Sequence, residues 1–273
     1  MHRVCLTFDF DAVSPWLHVD DEGNTPVNRS RGLFGAEVGA PRLLDLLADH
    51  DVRSTWFTPG HTLDSFPDIA ARVHGEGHGI QHHGWSHTRP GDYDSREAER
   101  EDVERGIESI ERVTGERPTG YRSPSWDFSE HTPELLADLG FEWDSSAMAR
   151  EFEPYRLHVD EAPVDGPYDR GRELDVVEIP VSWQRDDWPA LAHTRGKGFA
   201  DEAAVFRAWR ESFDWMVRNV ADGVFVLTTH PQVIGQGRRL ERLGAFVEHV
   251  ADTPEARFAR CAEVAAEFRE RRP

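Results

Sequence analysis

Val4-Cys5-Leu6-Thr7-Phe8-Asp9-Phe10-Asp11 runs from strand-forming residues straight into two carboxylates. Val4 to Phe8 has the apolar, β-prone character of a strand buried on both faces. Asp9 and Asp11 stand two apart, so on an extended chain both side chains project from one face. The same device recurs along the chain. Ser54-Thr55-Trp56-Phe57-Thr58 stops at Pro59-Gly60, and residues 80 to 82 lead into His83-Gly84-Trp85-Ser86-His87. Gly120-Tyr121 leads into Arg122-Ser123-Pro124-Ser125-Trp126, Val176 to Val181 is a further strand, and Val224 to Thr228 lands on Thr229-His230-Pro231. Helical periodicity fills the gaps at 37 to 49, Pro67 to Val73, Asp94 to Val113, 131 to 139 and 201 to 219. A polar loop is expected from the aspartates to Gly35, and 150 to 175 shows no regular period. Strands alternating with helices predict an α/β fold of parallel βα units with about seven strands. In such a fold the residues just past the strand C-termini line the active face. Asp9, Asp11, His83, Arg122, Trp126, Asp144 and His230 all fall there.

Two carboxylates and two imidazoles delivered to one face are the ligand set of a catalytic divalent metal. His83 and His87 are four apart, a spacing that reaches one ion from a helical turn or a tight loop. One carboxylate with two histidines leaves a position open for water, the arrangement of metal hydrolases. The second aspartate is then available as a base, with service as a further ligand the alternative for Asp9. Among the 14 histidines, His78 and His82 are expected to make local hydrogen bonds instead. Trp183, Trp188, Trp209 and Trp215 are expected to be packing residues.

The 273 residues suffice for one substantial core and carry no linker-like segment, so a single domain over 1–273 is expected. Apolar runs such as Gly223-Val224-Phe225-Val226-Leu227 are too short to span a bilayer. Met1 to Leu6 enters a strand without the apolar stretch and cleavage site of a secretory signal, which predicts a cytoplasmic address. Cys5 and Cys261 are expected to be buried thiols rather than a disulfide. The net charge is −20, from 31 basic and 51 acidic residues, and Lys197 is the lone lysine. Such a surface repels nucleic acid and anionic membranes, so neither is expected as a partner. Acidic enrichment with arginine in place of lysine also predicts adaptation to high salt.

Taken in order, Thr7-Phe8-Asp9-Phe10-Asp11, His83 to His87, Arg122 to Trp126, Asp144-Ser145-Ser146 and Leu227-Thr228-Thr229-His230-Pro231-Gln232 resemble the polysaccharide deacetylase (NodB-homology) family. Arg31-Gly32-Leu33-Phe34-Gly35 and Glu178 to Trp183 followed by Asp186-Asp187 are similar to its cytoplasmic branch of peptidoglycan-deacetylase-like proteins, allantoinases and cyclic-imide hydrolases. The resemblance implies a deformed (β/α)7 barrel and hydrolysis of a C–N amide bond. It makes Asp11, His83 and His87 the metal ligands, with Zn the expected ion, Asp9 the general base and His230 the general acid. Arg122 would orient the base, and Trp126, Asp144 and Ser145 would meet substrate. Phe10 separates aspartates that are adjacent in secreted deacetylases. That departure, with the N-terminal reading, favours a small amide or cyclic imide over the alternative, N-deacetylation of N-acetylated sugars or peptidoglycan. A non-catalytic relative that binds metal or ligand is a third reading, disfavoured by retention of base, ligands and acid in one chain. The resemblance also implies a homo-oligomer, a tetramer in particular.

Overall fold

The computed structural model describes residues 1–17, 23–193 and 199–271. Lys197, and the parts of the pocket-shaping loops 12–34 and 184–200 that fall at 18–22 and 194–198, lie outside the described residues. Among the described residues nine strands form one sheet: β1 (His2–Asp9), β2 (Thr55–Thr58), β3 (Gly79–His82), β4 (Gly120–Tyr121), β5 (Trp143–Asp144), β6 (Tyr155–Glu161), β7 (Asp169–Glu178), β8 (Val224–Thr229) and β9 (Ala256–Phe258). The path β7-β5-β4-β3-β2-β1-β8 is parallel throughout, seven strands as expected. Beyond β7 the chain returns to β8 through a parallel bridge from Asp186 to Thr228, which draws the two ends of the path together into the deformed barrel. The lower half of β1 pairs with β9 and the upper half with β2, so the sheet splits at its base and stays continuous at its top.

Every residue of β1 is buried, which explains why its middle, Val4 to Phe8, is apolar on both faces save for Thr7. Trp56 packs on Phe8 at 4.7 Å between ring centres and meets Phe10 edge-on at 5.7 Å. Leu43, Leu44 and Leu47 of helix Ala40–Asp49 are fully buried over the same layer, worth about 2 kcal/mol each. Cys5 and Cys261 are buried free thiols. Among the described residues no helix is long and apolar enough to cross a membrane.

Two segments depart from expectation. The loop expected up to Gly35 contains helix Pro26–Phe34, which continues through a π turn at Gly35–Gly39 into Ala40–Asp49. Its polar composition conceals it. The start signal is nevertheless present: Thr25 Oγ1 accepts from the Asn28 amide at 3.2 Å, with Pro26 in the first turn. Gly32 lets this helix press against the backbone beyond Asp11, since a Cβ there would lie 2.5 Å from the Ala12 carbonyl oxygen. The stretch 150 to 175 is not irregular but holds the antiparallel hairpin β6–β7. Register shifts between Arg156 and His158, and again between Val159 and Glu161, break its two-residue period, and the first half of β7 is charged and exposed.

Candidate active site

The strand ends converge on a cavity of about 780 Å³ lined by Asp9, Asp11, His83, His87, Ser125, Trp126, Trp183, Asp186, Trp188 and His230, among others. Asp9 ends β1 and accepts a 2.7 Å hydrogen bond from Arg122 Nη1. The guanidinium is fully buried and donates also to Thr7 Oγ1 at 2.9 Å, the Ser145 carbonyl at 2.8 Å and Ser145 Oγ at 2.9 Å. Burial alone would raise the Asp9 pKa. The charge and hydrogen bond of Arg122 outweigh it and hold the carboxyl below its ordinary value.

Among the described residues no guanidinium is bonded to Asp11. Its Oδ1 is buried without a hydrogen-bond partner and lies 3.6 Å from Nε2 of both His83 and His87. Burial pushes its carboxyl up to about 8. His83 Nδ1 donates to the Arg122 carbonyl at 2.7 Å, which fixes the tautomer and leaves Nε2 with its lone pair toward Asp11. Burial lowers His83 to about 4 and His87 well below the usual imidazole range, so both rings are neutral at pH 7, as ligands must be. The histidines come from a tight loop, not a helical turn. Gly84 at φ +68° and His87 at φ +61° curl it, and the amides of Trp85 and Ser86 donate to Asp102 at 2.7 and 3.1 Å. An orphaned carboxylate oxygen facing two neutral imidazoles, with ligand atoms within 4.8 Å of one another, fits a divalent cation.

His230 follows β8, the strand paired with β1. Its Nδ1 donates to Asp187 Oδ1 at 2.7 Å, its backbone amide reaches both Asp187 oxygens at 3.1 Å, and its Nε2 lies 3.8 Å from Asp11. Burial disfavours the imidazolium, but Asp187, then Asp186 and Asp11, override it and raise the pKa to about 10. The ring therefore carries a proton near neutral pH.

Trp126 sits at φ +53°, beside Ser125 at +60°, and stacks on Trp183 at 4.4 Å between ring centres. Trp188 lies 5.0 Å from the His230 ring. Trp183 and Trp188 thus line the cavity, a correction to their expected packing role. Trp209 packs in the core as expected, whereas Trp215 is 47% exposed and only meets Phe152 at the surface. Asp144 and Ser145 are also corrected: both are fully buried, neither lines the cavity, and Ser145 stands behind Arg122. His82 donates from Nε2 to the Val103 carbonyl at 2.9 Å, and His78 accepts from the Ser54 amide, local roles as expected. Asp187, Asp102 and Gln232, whose Nε2 is 3.4 Å from Asp11 Oδ2, were not assigned roles from sequence. For Asp187 the available signal was a pair of acids between a strand and the Trp188 helix.

The chain belongs to the polysaccharide deacetylase family, whose model matches residues 3–143. A peptidoglycan deacetylase of Helicobacter pylori is 34% identical over 285 residues, covering 99% of this chain and 97% of that protein. A peptidoglycan-deacetylase-like protein of Gibberella zeae is 28% identical over 292 residues, covering 97% and 86%. The crystal structure of a polysaccharide-deacetylase-type protein from Mycobacterium smegmatis superposes with a TM-score of 0.86 at 34% identity, covering 98% of this chain and 90% of that one. An allantoinase structure superposes with a TM-score of 0.80 at 20% identity, covering 99% and 91%, a likeness of fold alone. Family membership makes the protein a hydrolase of non-peptide C–N bonds, in a family that depends on metal in general.

Proposed function

We propose that this protein is a metal-dependent N-deacetylase that releases acetate from N-acetylated sugar units, those of peptidoglycan among them. The observation that carries the reading is one cavity holding an ionised carboxylate, a ligand trio with an orphaned oxygen, and a charged imidazole. Near-full-length likeness to a peptidoglycan deacetylase supports the sugar over the small imide favoured from sequence. The cavity volume is ample for a sugar ring, and Trp183, 46% exposed, offers an apolar face at its rim.

In this reading Asp11, His83 and His87 hold the cation, and zinc suits a site of one carboxylate and two imidazoles. When bound, the ion supplies Lewis acidity to a water and to the substrate carbonyl. Asp9, kept ionised by Arg122, takes a proton from the attacking water. The water oxygen bonds to the carbonyl carbon. His230 gives its Nε2 proton to the departing nitrogen as the C–N bond breaks, so the sugar leaves as a neutral amine. Asp187 holds the ring so that Nε2 faces the reacting centre. Trp126 and Trp183 form the apolar wall.

The test is acetate release from N-acetylglucosamine oligomers and peptidoglycan fragments, run beside ring opening of five-membered cyclic imides. Acetate from the sugars is the expected result; imide opening without acetate would reverse the substrate order. The homo-oligomer, a tetramer, stays part of the proposal and is checked by sedimentation of the purified protein.

A further inference from the structure

Behind Arg122, on the side away from the cavity, lies a cluster of buried acids that the chemistry above does not use. β5 and β7 run side by side with Asp144 opposite Glu178, and both side chains are 0% exposed. The two carboxyl groups converge on one N–H. The Ser146 amide donates to Asp144 Oδ2 at 2.9 Å and to Glu178 Oε1 at 3.1 Å. Ser146 Oγ donates to Asp144 Oδ1 at 2.9 Å, and the Ala147 amide donates to Glu178 Oε1 at 2.9 Å. That leaves Glu178 Oε2 buried with no donor to meet. The nearby cation, Arg122, is already committed to Asp9, Thr7 and Ser145. Two carboxylates cannot both stay ionised in so dry a place, and a single proton on Glu178, given to Asp144, satisfies the orphaned oxygen. Burial, then the Asp144 charge, push Glu178 well above its ordinary value, in the same direction.

The acid pair is wired to both halves of the base wall. The Asp144-Ser145-Ser146 segment gives Arg122 two of its partners, the Ser145 carbonyl and Oγ. Ser146 Oγ accepts from the Ser123 amide at 2.8 Å, at the entrance to the turn that presents Ser125 and Trp126 in left-handed conformations. Ser145 Oγ in turn donates to the Ile179 carbonyl, next to Glu178.

We propose that Glu178 and Asp144 form a proton-sharing acid pair in which neutral Glu178 is a positioning residue, setting Arg122 against Asp9 and holding the Trp126 turn in place. The proposal rests on the deacetylase reading only for its kinetic readout; whichever C–N substrate the protein turns over serves equally.

The decisive variant is Glu178→Gln, whose amide N–H replaces the shared proton and whose carbonyl still accepts from Ser146 and Ala147. It should keep kcat within about threefold, while Glu178→Ala loses about 10- to 100-fold in kcat with metal content unchanged. Infrared difference spectra on carboxyl-labelled, metal-loaded protein at neutral pH should show a protonated-carboxyl band that Glu178→Gln removes. This reading does not depend on activity and holds even where Glu178→Ala fails to fold. Equal damage from Gln and Ala, or no band lost in Glu178→Gln, overturns the proposal. A band lost as expected, with no acetate released from any N-acetyl sugar by the wild type, leaves the acid pair standing and removes the deacetylase reading instead.

Discussion

Asp9 and Asp11 leave the same strand end two residues apart and are each 2% exposed, but their surroundings drive them in opposite directions. Asp9 meets a buried guanidinium at 2.7 Å and is held ionised. Asp11 meets two neutral imidazoles and one amide, with the charged His230 ring no nearer than 3.8 Å, keeps an oxygen with no partner, and is pushed up to about 8 by burial. Burial is common to both, so the difference lies in the partner. An unpaired buried carboxylate costs several kcal/mol of desolvation unless a cation joins it. The protein spends its fixed arginine on the group proposed to accept a proton, and leaves without one the carboxylate proposed to hold a metal.

Two substitutions break the comparison most severely. Asp11→Asn should abolish stoichiometric metal binding and with it turnover, checked by elemental analysis and acetate release. Full metal content in that variant would take Asp11 out of the ligand set. In the wild type, metal at a hundred times its Kd adds about 2.7 kcal/mol to the folded state. A chelator should therefore lower Tm by about 5–10 °C for a chain of this size. Asp9→Asn should keep metal and lose about 10²- to 10⁴-fold in kcat, the usual contribution of a positioned base. If metal is lost instead, Asp9 is a ligand and the contrast with Asp11 disappears.

The half of this contrast that lies in chain order was legible before any coordinates. Strands ending in Asp9, Asp11, His83 and His230 placed these residues at one rim because strand ends share a face in a parallel βα fold. What was illegible depends on contacts across the sheet. Asp144 ends a strand and Ser145 follows it, but their side chains are buried away from the cavity, and no one-dimensional pattern tells the front of a rim residue from its back. Trp183 and Trp188 were read as packing because a tryptophan carries the same apolar signal in a core and on a pocket wall. The hairpin β6–β7 was missed since its bulges and exposed charges erase the period on which strand recognition depends.

The two buried histidines of the cavity sharpen the same rule with the sign reversed. His230 is buried like His83, but Asp187 and Asp186 raise it to about 10 while His83 falls to about 4. A histidine raised above its unfolded value of about 6.5 contributes stability fully present below that pH and lost as pH rises toward 10. The acid function proposed for it follows the same course, so kcat/KM should decline on the alkaline side as His230 gives up its proton. Asp187→Asn removes the chief charge holding that proton and leaves the burial that opposes it. Its alkaline limb should therefore move to lower pH, with metal content intact. An unmoved limb would show that another group sets it.

The smallest expected effect lies outside the cavity, where charges are not paired as tightly as Asp9 is. The chain carries a net charge of −20, and its surface acids that have partners are mostly held by exposed arginines, as in Arg72–Asp45 and Arg112–Asp64. Salt weakens these pairs, but each exposed pair is worth only about 0–1 kcal/mol. Salt also screens the repulsion among the excess carboxylates, whose reach in dilute buffer extends beyond the nearest neighbour. With 20 charges in excess, relief of repulsion should win. Tm should rise steadily from dilute buffer to molar KCl, by about the same amount with and without metal, since Asp11 is buried and, at about 8, largely protonated when no cation holds it. A midpoint that is flat or falling over that range would mean the surface pairs already balance the excess, and would remove the high-salt reading of the composition. The expected rise of equal size with and without metal confines the effect to the surface and leaves the Asp9–Asp11 contrast purely local.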